Sequence, residues 1–219
     1  MSSNSDYQTD SEKLALAFLK ACGVTCDKNN IKDKLAVDIL TEDNVKIDVQ
    51  YSNNYEKYGD FRLDIVSVYT PKNARPNASY KYNPNKNLIS NFKEKYNCNI
   101  LKNGKFFQKD YLDYFIILFY NQKYKEKEQI PDFILLISKE DLVSYCKPRA
   151  SDLFSKIRIN NKQIGFNDIG LKDEHGSAFI PLNVNDLCHN TNCIFGSHEE
   201  LLTKKEQVRQ YLRSESLSG

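Results

Sequence analysis

The sequence predicts an α/β protein whose core is a mixed β-sheet flanked by helices. Three observations carry this prediction: an apolar helical stripe near the N-terminus, a β-hairpin pattern over residues 35–52, and two strongly apolar segments over residues 111–120 and 130–138. In chain order they give a helix, a hairpin, a strand, a long insertion, two further strands and a helix.

The first predicted helix runs from Glu12 to Cys22. Its apolar stripe consists of Leu14, Ala17, Phe18 and Ala21, which recur at the helical spacing i, i+3, i+4 and i+7. Thr9 or Asp10 is suited to cap this helix and Gly23 is suited to end it. Glu12 would then lie in the first turn, where the helix dipole favours an acid. That structural role is an alternative to a chemical one.

The hairpin segment reads LAVDILTEDNVKIDVQYS, with the polar turn Thr41–Asn44 between two apolar runs. Its second run alternates strictly, which is typical of a half-buried strand. The apolar face would be Val45, Ile47, Val49 and Tyr51, and the polar face Lys46, Asp48, Gln50 and Ser52. Asp38 lies on the partner strand, about one hairpin width from Asp48. Two acids and an amide so placed suit a hard divalent cation, although a merely solvated face explains the same alternation.

The later segments predict buried strands and a helix. Tyr111–Tyr120 and Ile130–Ser138 are almost continuously apolar and aromatic, as strands buried on both faces are. Lys139–Tyr145 is expected to form a helix that starts at Ser138, and Phe61–Val66 is expected to form the strand that follows the hairpin.

A basic segment separates the hairpin from these strands. From Thr70 to Lys109 there are nine Lys or Arg and one acid, a local charge of +8, whereas the whole chain carries +2, so the remainder carries −6. Aromatic residues are interleaved with the bases, namely Tyr80, Tyr82, Phe92 and Tyr96. This pattern predicts a surface for a phosphate backbone, with stacking or polar contacts beside it. The predicted contacts are Lys72, Arg75, Lys81, Lys86, Lys93 and Lys95. A solvated lysine-rich loop is the alternative.

Together these features resemble the PD-(D/E)xK nuclease superfamily, which includes many restriction endonucleases and Holliday-junction resolvases. The matching residues are Glu12 on the first helix, Asp38 on one hairpin strand, and Asp48-Val49-Gln50 on the next. The resemblance covers roughly residues 11–145. It implies a restriction-endonuclease-like core with a basic insertion and a C-terminal appendage.

The chain departs from the superfamily pattern at three positions. Val37 stands where a proline is usual, Asp48 stands where Glu is commoner, and Gln50 replaces the motif lysine. Some restriction enzymes of this superfamily also carry Gln there. An amide can orient a water molecule but cannot carry positive charge, so Lys46 or Arg62 is expected to supply that charge.

The resemblance implies Mg²⁺- or Mn²⁺-dependent hydrolysis of DNA, and the basic segment suits RNA as well. The implied catalytic residues are Asp38, Asp48, Gln50, Glu12 and Lys46. The implied metal ligands are the carboxylates of Asp38, Asp48 and Glu12 and the carbonyl of Val49. A nuclease-fold protein that binds nucleic acid without cutting it is the alternative, because Gln50 replaces the lysine. An interaction protein with a solvated acidic face is a third alternative.

Residues 1–150 are predicted to form the nuclease core, with the basic insertion at 70–109. Residues 151–219 are predicted to form an appendage that reads substrate or makes a homodimer. Within it, Glu199–Arg213 is predicted to form a polar helix with one apolar face. The polar N-terminus predicts no export signal, and no apolar run reaches the length of a membrane span, so a cytoplasmic protein with reduced thiols is expected.

Six cysteines show no disulfide-framework spacing. Cys188, His189, Cys193 and His198 are four zinc-ligand types within eleven residues. Their spacing is irregular for zinc, and adjacent Cys188 and His189 are awkward as joint ligands. A loop with buried thiols is therefore favoured over a zinc site.

Overall fold

The computed structural model describes residues 4–29, 37–53, 55–72, 76–108, 112–121, 130–160 and 176–213. The chain forms two compact units. Unit 1 comprises Met1–Phe61, Asp110–Tyr145 and Asn183–Gly219, and unit 2 comprises Arg62–Lys109 and Cys146–Leu182. No helix in the described ranges is long and apolar enough to cross a membrane.

The strands are, in chain order, β1 (Cys26–Lys28), β2 (Ile39–Thr41), β3 (Lys46–Asn53), β4 (Asp60–Pro71), β5 (Cys98–Asn103), β6 (Tyr114–Tyr120), β7 (Phe133–Ser138), β8 (Arg158–Asn160), β9 (Gly176–Asn183) and β10 (Ile194–Ser197). The helices are α1 (Asn4–Ala21), α2 (Tyr55–Tyr58), α3 (Leu88–Tyr96), α4 (Lys139–Cys146), α5 (Ala150–Ser155), α6 (Val184–Asn190), α7 (His198–Thr203) and α8 (Lys205–Arg213). A short 3₁₀ helix spans Lys105–Phe107.

The sheet of unit 1 has the strand order β1-β2-β3-β6-β7-β10. β3 and β6 pair in parallel, whereas the other neighbours pair antiparallel, so the sheet is mixed as the sequence predicted. Every residue of the central strand β6 is buried. This agrees with its continuous apolar sequence, because a strand covered on both faces needs no polar face.

One face of this sheet packs against α1 and α8. The helices contribute Ala15, Phe18, Leu19, Cys22, Val208, Tyr211 and Leu212, and the strands contribute Val45, Ile47, Val49, Tyr114, Ile116 and Leu118. The predicted apolar face of β3 is therefore confirmed. Tyr114 Oη also donates a hydrogen bond to the carbonyl of Tyr211 at 2.8 Å, which fixes α8 against the central strand.

The prediction of the first helix was correct at its end and wrong at its start. Gly23 follows α1 with φ of +81°, a conformation that glycine adopts without steric cost. The helix begins at Asn4, so Thr9 and Asp10 are interior residues rather than caps, and Glu12 is not in the first turn. The apolar stripe predicts only the part of a helix that packs on the sheet, and the polar turns before it carry no such signal.

Unit 2 contains the sheet β5-β4-β9-β8. The strand predicted at Phe61–Val66 lies within the longer β4, and the predicted polar helix at Glu199–Arg213 is split at Lys204 into α7 and α8. The division of the chain does not follow the predicted boundary at residue 150. β10 pairs with β7 in unit 1, whereas β8 and β9 join β4 in unit 2, and such long-range pairings leave no local sequence signal.

Candidate functional site

Asp38 and Asp48 face each other across the β2–β3 hairpin. The antiparallel register pairs Ile39 with Ile47, so Asp38, which immediately precedes β2, is opposite Asp48 one step further along. Directly opposed residues of an antiparallel pair have their side chains on the same face. The two acids singled out in the sequence are thus on neighbouring chain segments at one end of the hairpin.

A hydrogen bond anchors the Asp38 carboxylate beside β3. The amide of Thr41 donates to the carbonyl of Val45, so odd-numbered residues of β3 turn their main-chain groups toward β2. Val49 lies beyond the start of β2, and its amide donates instead to Oδ2 of Asp38 at 2.7 Å. Because N–H and C=O of one residue point to the same side of a strand, the Val49 carbonyl faces the same edge.

Asp48 is fully buried, with 0% exposure. Its Oδ2 accepts a hydrogen bond from Nε2 of Gln50 at 3.1 Å, as expected for residues i and i+2 on one face of a strand. Burial of a carboxylate is costly unless donors or a cation compensate its charge. The Gln50 amide is one such donor.

Lys46 shares the strand face of Asp48 and Gln50 and is half-buried. Its main chain is clamped by Asp113: the Lys46 amide donates to Asp113 Oδ2 at 2.8 Å, and the Asp113 amide donates to the Lys46 carbonyl at 2.9 Å. The sequence reasoning gave Asp113 no role. Asp113 directly precedes the apolar run of β6, and this position is the sequence signal that could have indicated its structural role.

Glu12 lies on α1 and is almost buried, and its Oε2 forms an ion pair with Nζ of Lys28 at 2.5 Å. α1 packs on the face of the sheet that carries Ile47 and Val49, whereas strand alternation directs Asp48 to the other face. In the described part of the chain, no three His, Cys, Asp or Glu side chains are grouped as metal ligands. The role of Glu12 as a ligand stays a prediction.

Charge is strongly segregated between the two units. Unit 2 contains 16 Lys or Arg and 6 Asp or Glu, a net charge of +10. Unit 1 contains 15 Lys or Arg and 23 Asp or Glu, a net charge of −8. Eight of the ten net positive charges of unit 2 come from the 70–109 segment in which the sequence revealed them, and residues 146–182 add the other two.

The predicted nucleic-acid contacts differ in their availability. Lys72, Lys81 and Lys93 are exposed. Lys86 is also exposed but forms an ion pair with Glu94 at 2.6 Å, and Nζ of Lys95 lies 4.8 Å from the ring centroid of Phe154. Arg75 lies outside the described residues. The exposed lysines are therefore the best candidates for phosphate contacts.

The interleaved aromatic residues have structural contacts in unit 2. Phe92 is fully buried and contacts Tyr96 with ring centroids 4.6 Å apart. Tyr80 and Tyr82 contact Phe154, with centroids 6.1 and 5.4 Å away. Burial excludes Phe92 from stacking on a base, whereas Tyr80, Tyr82 and Tyr96 are half-buried, and their stacking on bases stays a prediction.

Asn91 organises the basic loop and was missed in the sequence. It is fully buried on α3, and its Nδ2 donates to the carbonyls of Asn83, Lys86 and Asn87, each at 3.0 Å. Its Oδ1 accepts from the amide of Asn83 at 2.7 Å and from the hydroxyl of Tyr80 at 3.0 Å. One side chain therefore holds the loop that carries Lys81 and Lys86.

Asn91→Ala should destabilise unit 2 by about 2–4 kcal/mol, because it leaves several buried donors and acceptors without partners. Urea unfolding followed by tyrosine fluorescence measures this change. Asn99→Ala, an exposed position on β5, is the matched control and should change stability by less than about 0.5 kcal/mol. Equal stability of the two variants would contradict the structural role of Asn91.

One further acid, Asp64, and one base, Arg62, lie on β4 in unit 2. The guanidinium of Arg62 lies 5.2 Å from the ring centroid of Phe179. Burial raises the pKa of Asp64, whose Oδ2 accepts a hydrogen bond from the Ser67 hydroxyl at 2.5 Å. These contacts give Arg62 and Asp64 structural roles in unit 2.

The four zinc-ligand types do not come together. Cys188 lies on α6 and Cys193 lies directly before β10, and both are half-buried free thiols. His198 instead contacts Phe18, with ring centroids 5.8 Å apart, and His189 is exposed. The favoured loop with buried thiols is found only in part, because Cys188 lies on a helix and both thiols are half-buried rather than buried.

The resemblance to the PD-(D/E)xK nucleases thus rests on the sequence pattern of Glu12, Asp38 and Asp48-Val49-Gln50. Asp38 and the segment Asp48-Val49-Gln50 belong to the β2–β3 hairpin, whose two strands pair antiparallel as the pattern predicts. In comparisons with known proteins, the chain matches no family model, no curated protein and no solved structure.

Proposed function

We propose that the protein is a metal-dependent endonuclease of restriction type that hydrolyses DNA phosphodiester bonds. The observation that carries the proposal is the Asp38 carboxylate held 2.7 Å from the Val49 amide, opposite the fully buried Asp48. Two carboxylates and the Val49 carbonyl form an all-oxygen donor set at one strand edge. Mg²⁺ and Mn²⁺ prefer such hard ligands.

Each residue has a distinct role in this proposal. Asp38, Asp48 and the Val49 carbonyl bind the metal, which would polarise the phosphate and lower the pKa of an attacking water. Gln50 holds Asp48 in orientation through its amide and presents its oxygen to water. Lys46, on the same strand face, stabilises the charge that develops on the phosphate.

Unit 2 supplies the nucleic-acid surface in this proposal. Its net charge of +10 is large enough to attract a phosphate backbone, and Lys72, Lys81 and Lys93 are exposed for contact. Lysine is a point charge that reads phosphates rather than base edges, so this surface would position DNA or RNA without selecting its sequence.

The proposal is tested by incubating the protein with supercoiled plasmid and with single-stranded DNA, in Mg²⁺, in Mn²⁺ and in EDTA. Nicked or linear plasmid is expected with either metal and not with EDTA. Binding of DNA in a mobility-shift assay, together with an intact plasmid in both metals, would contradict cleavage.

That second outcome would support the alternative, a nuclease-fold protein that binds nucleic acid without cutting it. The observation that favours this alternative is the neutral Gln50 amide hydrogen-bonded to Asp48, at the position where the superfamily usually has a lysine. A neutral donor stabilises developing negative charge less than an ammonium group does.

Gln50→Lys should leave the cleavage rate unchanged or raise it, because an ammonium at this position can donate to Asp48 and also face the phosphate. The rate is measured from plasmid nicking at saturating Mg²⁺. Ser52→Lys, two residues further on the same strand face, is the matched control for added charge. Loss of cleavage in Gln50→Lys with retained folding would contradict the assigned role of Gln50.

A further inference from the structure

Tyr82 is a half-buried aromatic residue of unit 2, in the loop that precedes α3. Its ring contacts the ring of Phe154 on α5, with centroids 5.4 Å apart and planes inclined by 49°. Phe154 is buried, with 3% exposure, so this contact seats the Tyr82 ring against the interior of the unit. Part of Tyr82 stays accessible to solutes.

The contacts of Tyr82 differ from those of the other aromatic residues nearby. The Tyr80 hydroxyl hydrogen-bonds with Asn91 Oδ1 at 3.0 Å and with Glu94 Oε2 at 3.1 Å, and Phe92 is fully buried. The Tyr82 hydroxyl, in contrast, has no hydrogen-bond partner among the residues that the structure describes. Tyr80 and Phe92 are therefore committed to internal contacts, whereas Tyr82 is engaged through its ring alone.

The backbone next to Tyr82 is held in place by hydrogen bonds. The amide of Asn83 donates to Oδ1 of the buried Asn91 at 2.7 Å, and the carbonyl of Asn83 accepts from Nδ2 of Asn91 at 3.0 Å. Oδ1 of Asn83 also accepts from the amide of Asn85 at 2.9 Å. A ring that is fixed before binding loses little conformational entropy when a ligand contacts it.

Positive charges accompany this ring. The exposed Lys81 directly precedes it, and Nζ of Lys95 lies 4.8 Å from the centroid of Phe154, the ring that Tyr82 contacts. The single acid among residues 76–97 is Glu94, and Lys86 forms an ion pair with it at 2.6 Å. Cationic groups that can pair with a phosphate backbone are therefore available beside an aromatic ring.

We propose that Tyr82 is a stacking platform for an unpaired base, and that unit 2 binds single-stranded DNA in preference to duplex. The inference rests on the proposed function, in which unit 2 supplies the nucleic-acid surface, and it names the form of DNA that this surface takes. Stacking of a base on an aromatic ring beside a basic groove is how proteins hold single strands without reading their sequence.

The ring is the element that distinguishes the two forms of DNA. Lysine pairs with the phosphates of a single strand and of a duplex alike. A base within a duplex is covered on both faces by its neighbours, so a protein ring finds no free face to contact. An unpaired base has a free face, and every base type presents one.

The test measures binding by fluorescence anisotropy, with labelled oligothymidylate and with a labelled duplex of the same length, both in EDTA so that no metal-dependent cleavage occurs. Tyr82→Ala should weaken single-strand binding roughly 5- to 150-fold, the loss expected for one stacked base, and should change duplex binding less than about twofold. Tyr82→Phe should bind both as the parent does, because the ring is retained.

Two further variants separate stacking from packing. Tyr82→Leu keeps an apolar side chain against Phe154 but has no flat ring, so it should lose single-strand affinity as Tyr82→Ala does while urea unfolding shows a folded protein. Tyr58→Ala removes an exposed tyrosine of unit 1 and should change neither affinity. Parental single-strand affinity in Tyr82→Leu, or an equal loss for both forms of DNA, would overturn the proposal.

The outcomes also separate this inference from the proposed hydrolysis. Tighter binding of the single strand, lost in Tyr82→Leu, supports the stacking role even if plasmid stays intact in Mg²⁺ and Mn²⁺, which contradicts cleavage alone. Metal-dependent plasmid nicking together with equal affinity of the parent protein for single strand and duplex overturns the stacking role alone.

Discussion

Asp48→Asn should abolish metal-dependent cleavage while the protein stays folded and still binds DNA. The substitution removes a hard anionic oxygen ligand from a fully buried position and preserves the size of the side chain. Loss of such an electrostatic contribution costs roughly 10²–10³-fold in turnover. The rate of plasmid nicking as a function of Mg²⁺ concentration measures the loss. DNA affinity should be retained or increased, because one negative charge near the phosphate is gone.

Asp38→Asn should have the same effect on cleavage, since its amide oxygen can still accept from Val49 but carries no charge. Asp43→Asn is the matched control, because Asp43 is exposed in the turn of the same hairpin. It should cut DNA at the parental rate. If both Asp38→Asn and Asp48→Asn cut as well as the parent, the site is assigned to the wrong residues.

Simultaneous substitution of Lys72, Lys81 and Lys93 by Ala should weaken DNA binding and flatten its salt dependence. Each lost phosphate contact lowers the slope of log affinity against log salt by about 0.9 for duplex DNA, so three contacts lower it by roughly 2.7. These three lysines are exposed, whereas Lys86 and Lys95 are engaged with Glu94 and Phe154. Fluorescence anisotropy with labelled duplex at several salt concentrations gives the slope.

A matched control removes the same charge from the acidic unit. Lys13, Lys57 and Lys205 are exposed residues of unit 1, and their joint substitution by Ala should leave the slope almost unchanged. Metal binding at Asp38 and Asp48 should be the same in both triple variants. An unchanged slope in the unit 2 variant would mean that its lysines are only solvated, and that the DNA surface lies elsewhere.

Four strands of unit 1, β2, β3, β6 and β7, could be predicted from the local pattern of apolar and polar residues, whereas β1 and β10 were not predicted. β6 is apolar throughout and buried along its whole length, and the alternation of β3 predicted which of its side chains face α1. The same alternation predicted a half-buried strand, which is wrong at Asp48, because this residue of the polar face is fully buried. The pairing of the two acids across the hairpin followed from the same alternation, since a short turn fixes which residues are opposed.

Contacts between distant segments could not be predicted in this way. Lys28 as the partner of Glu12, Phe154 beside Tyr82, and the Asn91 hydrogen bonds all depend on how separate elements meet. A polar residue within a helix gives the same local sequence pattern whether it is solvated or is buried with several hydrogen bonds, as Asn91 is. Residues 183–213 belong to unit 1 because β10 pairs with β7, and this long-range pairing has no signal in the local sequence either.

The interrupted path of the chain through unit 1 has a consequence for folding during synthesis. Unit 2 is complete once Leu182 has been added, but unit 1 still lacks β10, which covers the outer edge of β7, and α8, which supplies Val208 and Leu212. At 5–20 residues per second, the remaining 31 residues to Arg213 take roughly 2–6 s. During that interval the β7 edge has unpaired amides and carbonyls, which makes the nascent chain a target for strand pairing with other molecules and for chaperones.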